Sequence, residues 1–347
     1  MKKRIKIVFL VFGILFISLR LSIYVFRMPT YNIKTSGKLF VVSKLSEDIQ
    51  VIDLSTGKQL AEIPIGVLCH EAVATSDKKR VVVTNTIGSE GNIIKTINSE
   101  DYRIENSLNS KKGIKASGIA ALPDENNVAV IDLVSSDIFV LDVETNSIEK
   151  QIKTQQKKSH LLVLHPKKTI AYVTNVESGS ISVIDLSTNK VVKIIPCGIG
   201  RKGIAITPDG SEIWVTNTKE NTIHVINTSS YKITNVLETG NESMKLNFSI
   251  DGKNCLVVNA TDGTISVYNQ QTKKKVKTIV LHGKGTRLER ILYHTPRPVN
   301  ILMHPNGLYA FVANSNADRI EVVDMKTFEV ISNIGTGKVP DAMVFIE

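Results

Sequence analysis

The chain has 347 residues, of which 42% are hydrophobic and 22% charged, with a formal net charge of +10 and only three cysteines. This composition excludes a disordered chain and a scaffold held together by disulfides, and it supplies enough apolar residues for a sizeable core. Residues 1–27 carry six positive charges and no acids, so residues 28–347 carry only +4. Nucleic acid is therefore not expected as a partner.

The first predicted element is an apolar segment near the amino terminus. MKKRIK precedes an uncharged run over residues 7–19, and Arg20 and Arg27 flank a second apolar run. The first run has the length of a signal-peptide core, but no small residues follow at a cleavage position. We therefore expect residues 1–27 to form an uncleaved anchor across the cell membrane, with the rest of the chain on the extracytoplasmic side. A cleaved signal and a secreted protein are the alternative, and residues 28–37 are interpreted as a polar tether.

From residue 38 onward, a unit of four short strand patterns recurs. The second pattern of each unit ends at Ser43, Asn85, Asp132, Asn175, Asn217, Asn259 and Asn314. The third pattern ends at Asp53, Asn98, Asp142, Asp185, Asn227, Asn269 and Asp324. A period of roughly 40–45 residues with four strands is the signature of a propeller blade. The Asn and Asp residues are expected to bond turn backbones rather than to act in a site.

The two ends of the chain indicate how the ring closes. The strand that opens each later unit is missing before Leu39, and one such strand, Asp341–Phe345, is left over at the carboxyl end. Pairing the two completes an all-β, seven-bladed propeller over residues 38–347 and removes free sheet edges. A single closed ring of this kind is expected to be a monomer. The three cysteines fall in different blades and are expected to remain unpaired.

Three stretches share the spacing of a known repeat family. They are AYVTN at 171–175, SVIDLSTNKVV at 182–192 and GIAITPDG at 203–210. These stretches resemble the YVTN-repeat family of β-propellers, which includes bacterial extracytoplasmic proteins and archaeal surface-layer proteins. The resemblance implies the fold and an extracytoplasmic location, but it carries little functional information, because the repeated residues build blades.

A candidate ligand site lies where the loops before the innermost strands converge on one mouth of the channel. We predict a ligand-binding pocket at that mouth from two histidines, a serine, two acids and three basic residues: His70, Glu71, Ser117, His160, Arg201, Lys202, Arg297 and Asp341. The alternative is that these residues merely solvate the channel mouth. No metal is predicted, because His70 and His160 lie two blades apart and no third ligand accompanies them.

The sixth unit contains an insertion over residues 282–300. It is expected to form a loop on the same face of the propeller, with basic and histidine side chains at His282, Lys284, Arg287, Arg290 and His294. Apolar residues alternate with them, so the loop could be a lid or a docking surface for a partner. An ordinary loop expansion is the alternative.

The sequence lacks the short motifs of known catalytic centres. It contains no nucleophile elbow, haem-attachment motif, zinc-peptidase motif or dinucleotide fingerprint. No cofactor and no catalytic residue is therefore predicted. The favoured function is a binding or scaffold module that recognises a protein, a cell-surface polymer or a small ligand. The alternative is a hydrolase or lyase, because propellers that look related include sugar lactonases with an active site in the central channel.

Overall fold

A computed structural model describes residue 13 and residues 30–66, 69–86, 93–109, 114–124, 126–283 and 295–347. Within these ranges the strands form seven four-stranded antiparallel sheets. Apart from residue 13, the segment predicted as an anchor lies outside the described residues, and so does the middle of the predicted insertion. No helix in the described ranges has both the length and the apolar character needed to cross a membrane.

Each sheet is one blade, and its strands succeed one another from the channel outward. The innermost strands are β4 (Cys69–Ala74), β8 (Ala116–Ala121), β12 (Ser159–Leu164), β16 (Arg201–Ile206), β20 (Ser243–Phe248), β24 (Pro298–Met303) and β28 (Pro340–Ile346). The second strands are β1 (Lys38–Ser43), β5 (Arg80–Asn85), β9 (Asn127–Asp132), β13 (Ile170–Asn175), β17 (Glu212–Asn217), β21 (Asn254–Asn259) and β25 (Tyr309–Asn314). The third strands are β2 (Asp48–Asp53), β6 (Ile93–Asn98), β10 (Ile138–Asp142), β14 (Ser180–Asp185), β18 (Thr222–Asn227), β22 (Thr264–Asn269) and β26 (Arg319–Asp324). The outermost strands are β3 (Lys58–Pro64), β7 (Ile104–Asn109), β11 (Ser147–Ile152), β15 (Lys190–Pro196), β19 (Ile233–Glu238), β23 (Lys275–Val280) and β27 (Glu329–Gly335).

The ring closes by the predicted pairing of the two chain ends. β28 lies antiparallel to β1, with Lys38 opposite Ile346 and Val41 opposite Met343. The innermost strands then neighbour one another around a complete circle, with β28 beside β4. We call the end of the channel where the innermost strands begin the upper mouth, and the opposite end the lower mouth. The seven-bladed architecture and the predicted ends of the second and third strands are confirmed.

The core lies between adjacent blades. Second strands such as β5 and β17 are buried on both faces, because each blade is covered by a neighbour on either side. Trp214 is completely buried and packs edge-on against Phe248 and Tyr268 of the next blade, at ring-centroid distances of 5.3 and 6.3 Å. Aromatic contacts of this kind contribute beyond the area that they bury. The three cysteines are buried and unpaired, as expected.

A buried threonine near the end of the second strand joins neighbouring blades. Thr216 Oγ1 accepts a hydrogen bond from the Gly203 amide at 2.9 Å and donates one to the Met244 carbonyl of the next blade at 2.7 Å. Thr84 makes the equivalent bond to the Ser117 carbonyl at 2.9 Å. These carbonyls lie beside irregularities in the innermost strands, where the regular ladder leaves backbone groups unpaired. The repeated VTN sequence is therefore explained by packing between blades.

Replacing Thr216 with Val is expected to lower the free energy of unfolding by about 2 kcal/mol, because it leaves a buried amide and a buried carbonyl without partners. The measurement is urea denaturation of both proteins. Thr169→Val is the matched control, since Thr169 is exposed in a turn, and it should change stability by less than about 0.5 kcal/mol. Equal effects of the two substitutions would contradict the proposed role of the hydroxyl.

The strand β2 begins with a buried carboxyl group. Asp48 is 5% exposed. Burial, reinforced by the nearby charge of Glu62, raises the pKa of Asp48 to about 6. Asp48 therefore holds its proton more tightly in the folded protein than in the unfolded chain. The cost of ionising it grows as pH rises from about 4, the value in an unfolded chain, through the folded value.

Asp48→Asn should consequently stabilise the protein by about 1–2 kcal/mol at pH 8 and have little effect at pH 4, as measured by denaturation across that range. Asp53→Asn, at the other end of the same strand, should behave in the opposite way. Hydrogen bonds from Ser55 and Thr56 lower the pKa of Asp53, so its carboxylate stabilises the fold above about pH 4. A pH-independent effect of Asp48→Asn would show that the group is not destabilised in the folded protein.

A candidate active site at the upper channel mouth

The structure places His70, Ser117 and His160 in strands, whereas the sequence analysis placed them in loops. These residues, and Asp341 of the predicted closing strand, are each the second residue of an innermost strand. The pairing register shifts at this position, for example between Cys69 and Glu71. Such bulges redirect side chains and add a residue that does not follow the alternating apolar pattern. For this reason the sequence pattern placed His70, Ser117 and His160 in loops.

Asp341 is the centre of a buried polar network. Its carboxylate lies 2.9 Å from His70 Nδ1 and 2.5 Å from Lys44 Nζ, although only 6% of the residue is exposed. Burial opposes ionisation of Asp341. The hydrogen bond and charge of His70, together with the charges of Lys44 and Lys245, outweigh that effect and hold the pKa of Asp341 well below its usual range. Asp341 therefore remains a carboxylate at neutral pH, and it fixes the orientation of the His70 ring.

The two predicted histidines come together despite lying two blades apart. The ring centroids of His70 and His160 are 5.8 Å apart, with the rings tilted at 56°. This is possible because innermost strands converge on the propeller axis. Ser117, between them in the ring, is fully buried, and its hydroxyl donates to the His160 carbonyl at 3.1 Å. Ser117 therefore positions the backbone of β12.

An ion pair crosses the channel at the next residue down. Lys245 Nζ of β20 lies 2.5 and 2.7 Å from the two carboxylate oxygens of Glu71 on β4, and these strands are not neighbours in the ring. Glu71 was among the predicted residues but Lys245 was not, because Met244 and not Lys245 occupies the position in its unit that is equivalent to His70 and His160. The available signal was a lysine and a glutamate of opposite charge in the same position of two different units.

Other predicted residues are not part of this network or lie outside the description. Arg297 makes a two-pronged ion pair with Glu242, at 2.9 and 2.7 Å. The side chains of Arg201 and Lys202, and all of Lys284, Arg287, Arg290 and His294, lie outside the described residues. At the start of the insertion, the amides of His282 and Gly283 donate to the fully buried carboxylate of Glu321, at 2.9 and 2.7 Å. Glu321 thus anchors the base of the inserted segment.

The two halves of the channel differ in chemistry. The upper half contains the charged groups around Asp341 and Glu71. Near the lower mouth, β4, β24 and β28 enclose a cavity of about 440 Å³ lined mainly by apolar side chains, among them Val73, Leu302 and Phe345. In the described part of the chain, no group of three or more His, Cys, Asp or Glu residues is arranged to hold a metal ion. The titratable groups of the channel described here therefore lie in its upper half.

Comparison with known protein families identifies the class of propeller to which the chain belongs. The model of the family described as "Lactonase, 7-bladed beta-propeller" matches residues 81–285, which is more than half of the chain. The chain belongs to this family of seven-bladed propellers. Comparison with curated proteins gave no match.

Solved structures support the fold. A functionally unknown protein from Desulfotomaculum acetoxidans DSM 771 superposes with a TM-score of 0.75 at 16% identity, covering 90% of this chain and 99% of its own. Kuenenia stuttgartiensis hydrazine synthase gives 0.68 at 16% identity, covering 79% and 88%. The dihydro-heme d1 dehydrogenase NirN in complex with DHE gives 0.63 at 16% identity, covering 88% and 65%. At this identity the similarity shows the propeller fold alone.

A double-mutant cycle measures the ion pair across the channel. Glu71→Gln and Lys245→Met should each destabilise the protein, and their coupling energy should be about 1–3 kcal/mol, because both side chains are largely shielded from water. The exposed pair Lys158–Glu177 is the matched control, with 53% and 57% of the side chains exposed. Its coupling should stay below about 1 kcal/mol. Equal coupling in the two cycles would contradict the shielding of the channel pair.

Proposed function

We propose that this chain is a hydrolase that opens a cyclic ester at the upper mouth of its channel, with His70 as the general base. The observation that carries this proposal is the contact of His70 Nδ1 with the buried carboxylate of Asp341, at 2.9 Å. In the neutral ring, the proton on Nδ1 is donated to Asp341, so Nε2 is the proton acceptor. Membership of a family named for lactonases supports the same class of substrate.

The reaction follows from this geometry. His70 Nε2 removes a proton from a water molecule, and the water oxygen attacks the carbonyl carbon of the lactone. The tetrahedral intermediate collapses with cleavage of the ring C–O bond. The leaving alkoxide takes the proton from the His70 imidazolium, so one lactone and one water give one hydroxy acid. Asp341 remains ionised throughout and stabilises the imidazolium by charge.

The surrounding groups have positioning roles in this proposal. Lys44 shares the carboxylate of Asp341, which keeps the carboxylate fixed while His70 changes charge. His160 faces His70 from across the mouth and is placed to contact the substrate. The Glu71–Lys245 pair lies beneath them and limits how deeply a ligand enters the channel.

We also propose that residues 1–27 anchor the protein in the membrane with the propeller on the extracytoplasmic side. The support is the basic amino terminus followed by an apolar segment long enough to span. A binding or scaffold module at the same mouth is the second candidate function. The side chains of Lys44 and His70 are 25% and 21% exposed, so a ligand of such a module has access to them.

The test is hydrolysis of a panel of sugar-derived and aliphatic γ- and δ-lactones by the full chain in detergent. The acid that is released is titrated at constant pH. On a lactone that turns over, His70→Gln should lower kcat/KM by about 100-fold or more, because the general base is lost. Asp341→Asn should also lower kcat/KM, because the tautomer of His70 is no longer fixed. His165→Gln is the control, since this ring bonds a turn amide at the lower face, at 3.0 Å from the Lys167 nitrogen.

The two functions give different results in this assay. Unchanged turnover in His70→Gln would overturn the assigned general base. If no lactone is hydrolysed, but some lactones bind to the natural protein and not to His70→Gln, the binding module is favoured over the hydrolase. Circular dichroism of each variant shows whether a loss reflects the site or the fold.

A further inference from the structure

The chain enters the propeller along the outer side of the last blade and reaches the lower face before β1. Residues 30–37 are held by contacts with the closing blade and the blade before it, and the Thr30 carbonyl accepts from Ser332 Oγ in the middle of β27. The Tyr31 hydroxyl donates to the Leu54 carbonyl, and the Asn32 amide donates to Ser332 Oγ at 3.0 Å. Thr35 Oγ1 lies 2.8 Å from His304 Nε2, in the turn between β24 and β25. Leu54 follows β2, so it and His304 both lie at the lower ends of their strands.

This segment is fixed rather than free to reorient. Ile33 is 6% exposed and belongs to a core cluster with Leu39 and Leu54. A Cβ added at Gly57 would fall 2.5 Å from the Tyr31 ring, and Gly57 has a φ of +72°. Any side chain at position 57 would therefore clash with the ring of Tyr31. The segment that the sequence analysis interprets as a polar tether is thus attached to the propeller from residue 30 onward.

The length of chain before this segment is short. The predicted anchor ends at Arg27, so three residue steps separate it from Thr30. Even fully extended, three steps span only about 10 Å. A bilayer that holds the anchor must therefore lie close to the point where the chain meets the last blade.

We propose that the lower face of the propeller rests on a lipid bilayer, so that the upper mouth opens away from the membrane. This goes beyond the proposed hydrolysis and rests on the proposed anchor. The innermost strands are six or seven residues long, and six residues of strand span about 20 Å. The site around Asp341 would therefore stand about 20 Å above the bilayer and be open to soluble substrates.

The chemistry of the lower face fits this partner. Ile250 and Leu308 are 51% and 55% exposed there. They lie next to the entering chain, because Asn306 Nδ2 donates to Thr35 Oγ1 at 3.1 Å and a Cβ on Gly307 would lie 3.7 Å from Ile250 Cβ. Apolar side chains of this kind can enter the headgroup region.

Charged residues of both signs lie on the same face. Lys78, Lys167 and Lys168 are exposed in its turns. Asp77 and Asp209 lie in the same kind of turn and keep their negative charge while they accept hydrogen bonds from Thr75, and from Thr207 and Ser211. Lysines near a membrane surface are attracted to anionic lipids. The upper face also exposes apolar residues, such as Leu45 at 62%, so the orientation is decided by the chain entry and not by apolar exposure alone.

The test places one fluorophore on each face of the full chain, reconstituted in lipid nanodiscs that contain anionic lipid and a nitroxide-labelled lipid as quencher. Leu308→Cys labels the lower face, and Leu45→Cys is the matched label on the upper face. The three natural cysteines are buried, and burial raises the pKa of the Cys69 thiol to about 12, so the introduced thiols are the ones that react. We expect the label at position 308 to lose most of its emission, and the label at position 45 to lose little.

A second pair of variants tests the charge. Lys167→Glu with Lys168→Glu should reduce quenching at position 308 in anionic nanodiscs, because the lower face is then repelled. Lys157→Glu with Lys158→Glu reverses two exposed lysines before β12, on the upper face, and should leave the quenching unchanged.

Each outcome decides the orientation. Stronger quenching at position 45 than at position 308 would overturn the proposal, since the upper mouth would then face the membrane. A chain that fails to enter nanodiscs, or two labels that remain unquenched, would overturn it as well. None of these results depends on lactone hydrolysis, so the hydrolase proposal stands or falls separately.

Discussion

The pairing of β28 with β1 is the interaction on which the rest of the molecule depends. A blade buries both of its faces only when a neighbour stands on each side, so an open row of seven would leave two apolar faces in water. Closing the ring between the two ends of the chain removes that cost. It also places Asp341, on the closing strand, against His70 of the next innermost strand. The candidate site therefore forms by the same event that completes the fold.

Inside the channel, each buried charge is stabilised by a partner from a different part of the chain. Removing a carboxylate or an ammonium from water is costly, and the cost is offset only by close opposite charge and good hydrogen bonds. Asp341 has His70 and Lys44, and Glu71 has Lys245, all within 2.9 Å. These pairs restrict the side chains that line the mouth. Such preorganisation is what a general base and its orienting carboxylate require.

The two ends of the channel are suited to different surroundings. The upper half presents titratable groups, whereas the lower half has a cavity of about 440 Å³ lined mainly by apolar side chains. The amino-terminal segment seals the closing seam from the lower side, with Ile33 in the core. Separation of a polar site from the side where the chain enters would let a propeller be anchored at one face and work at the other.

The architecture could be predicted from local patterns in the sequence. Alternating apolar residues and recurring turn residues are local signals, and they located the ends of the second and third strands, such as Asn175 and Asp185, at the residues found in the structure. Counting the strands was enough to predict closure by Asp341–Phe345. These inferences succeeded because strand formation and turns depend on neighbours in the chain, and the repeat supplied seven copies of each signal.

Only the tertiary structure decided which site residues meet. His70 and Asp341 are 271 positions apart, and Glu71 and Lys245 are 174 apart. Contacts across a channel depend on the radius of the ring and on bulges that turn particular side chains inward, and neither leaves a local pattern in the sequence. For the same reason the sequence did not show that Arg297 pairs with Glu242 of another unit. Residue type and position in the repeat identified most of the candidates, but the short distance between His70 and Asp341 exists only in the closed ring.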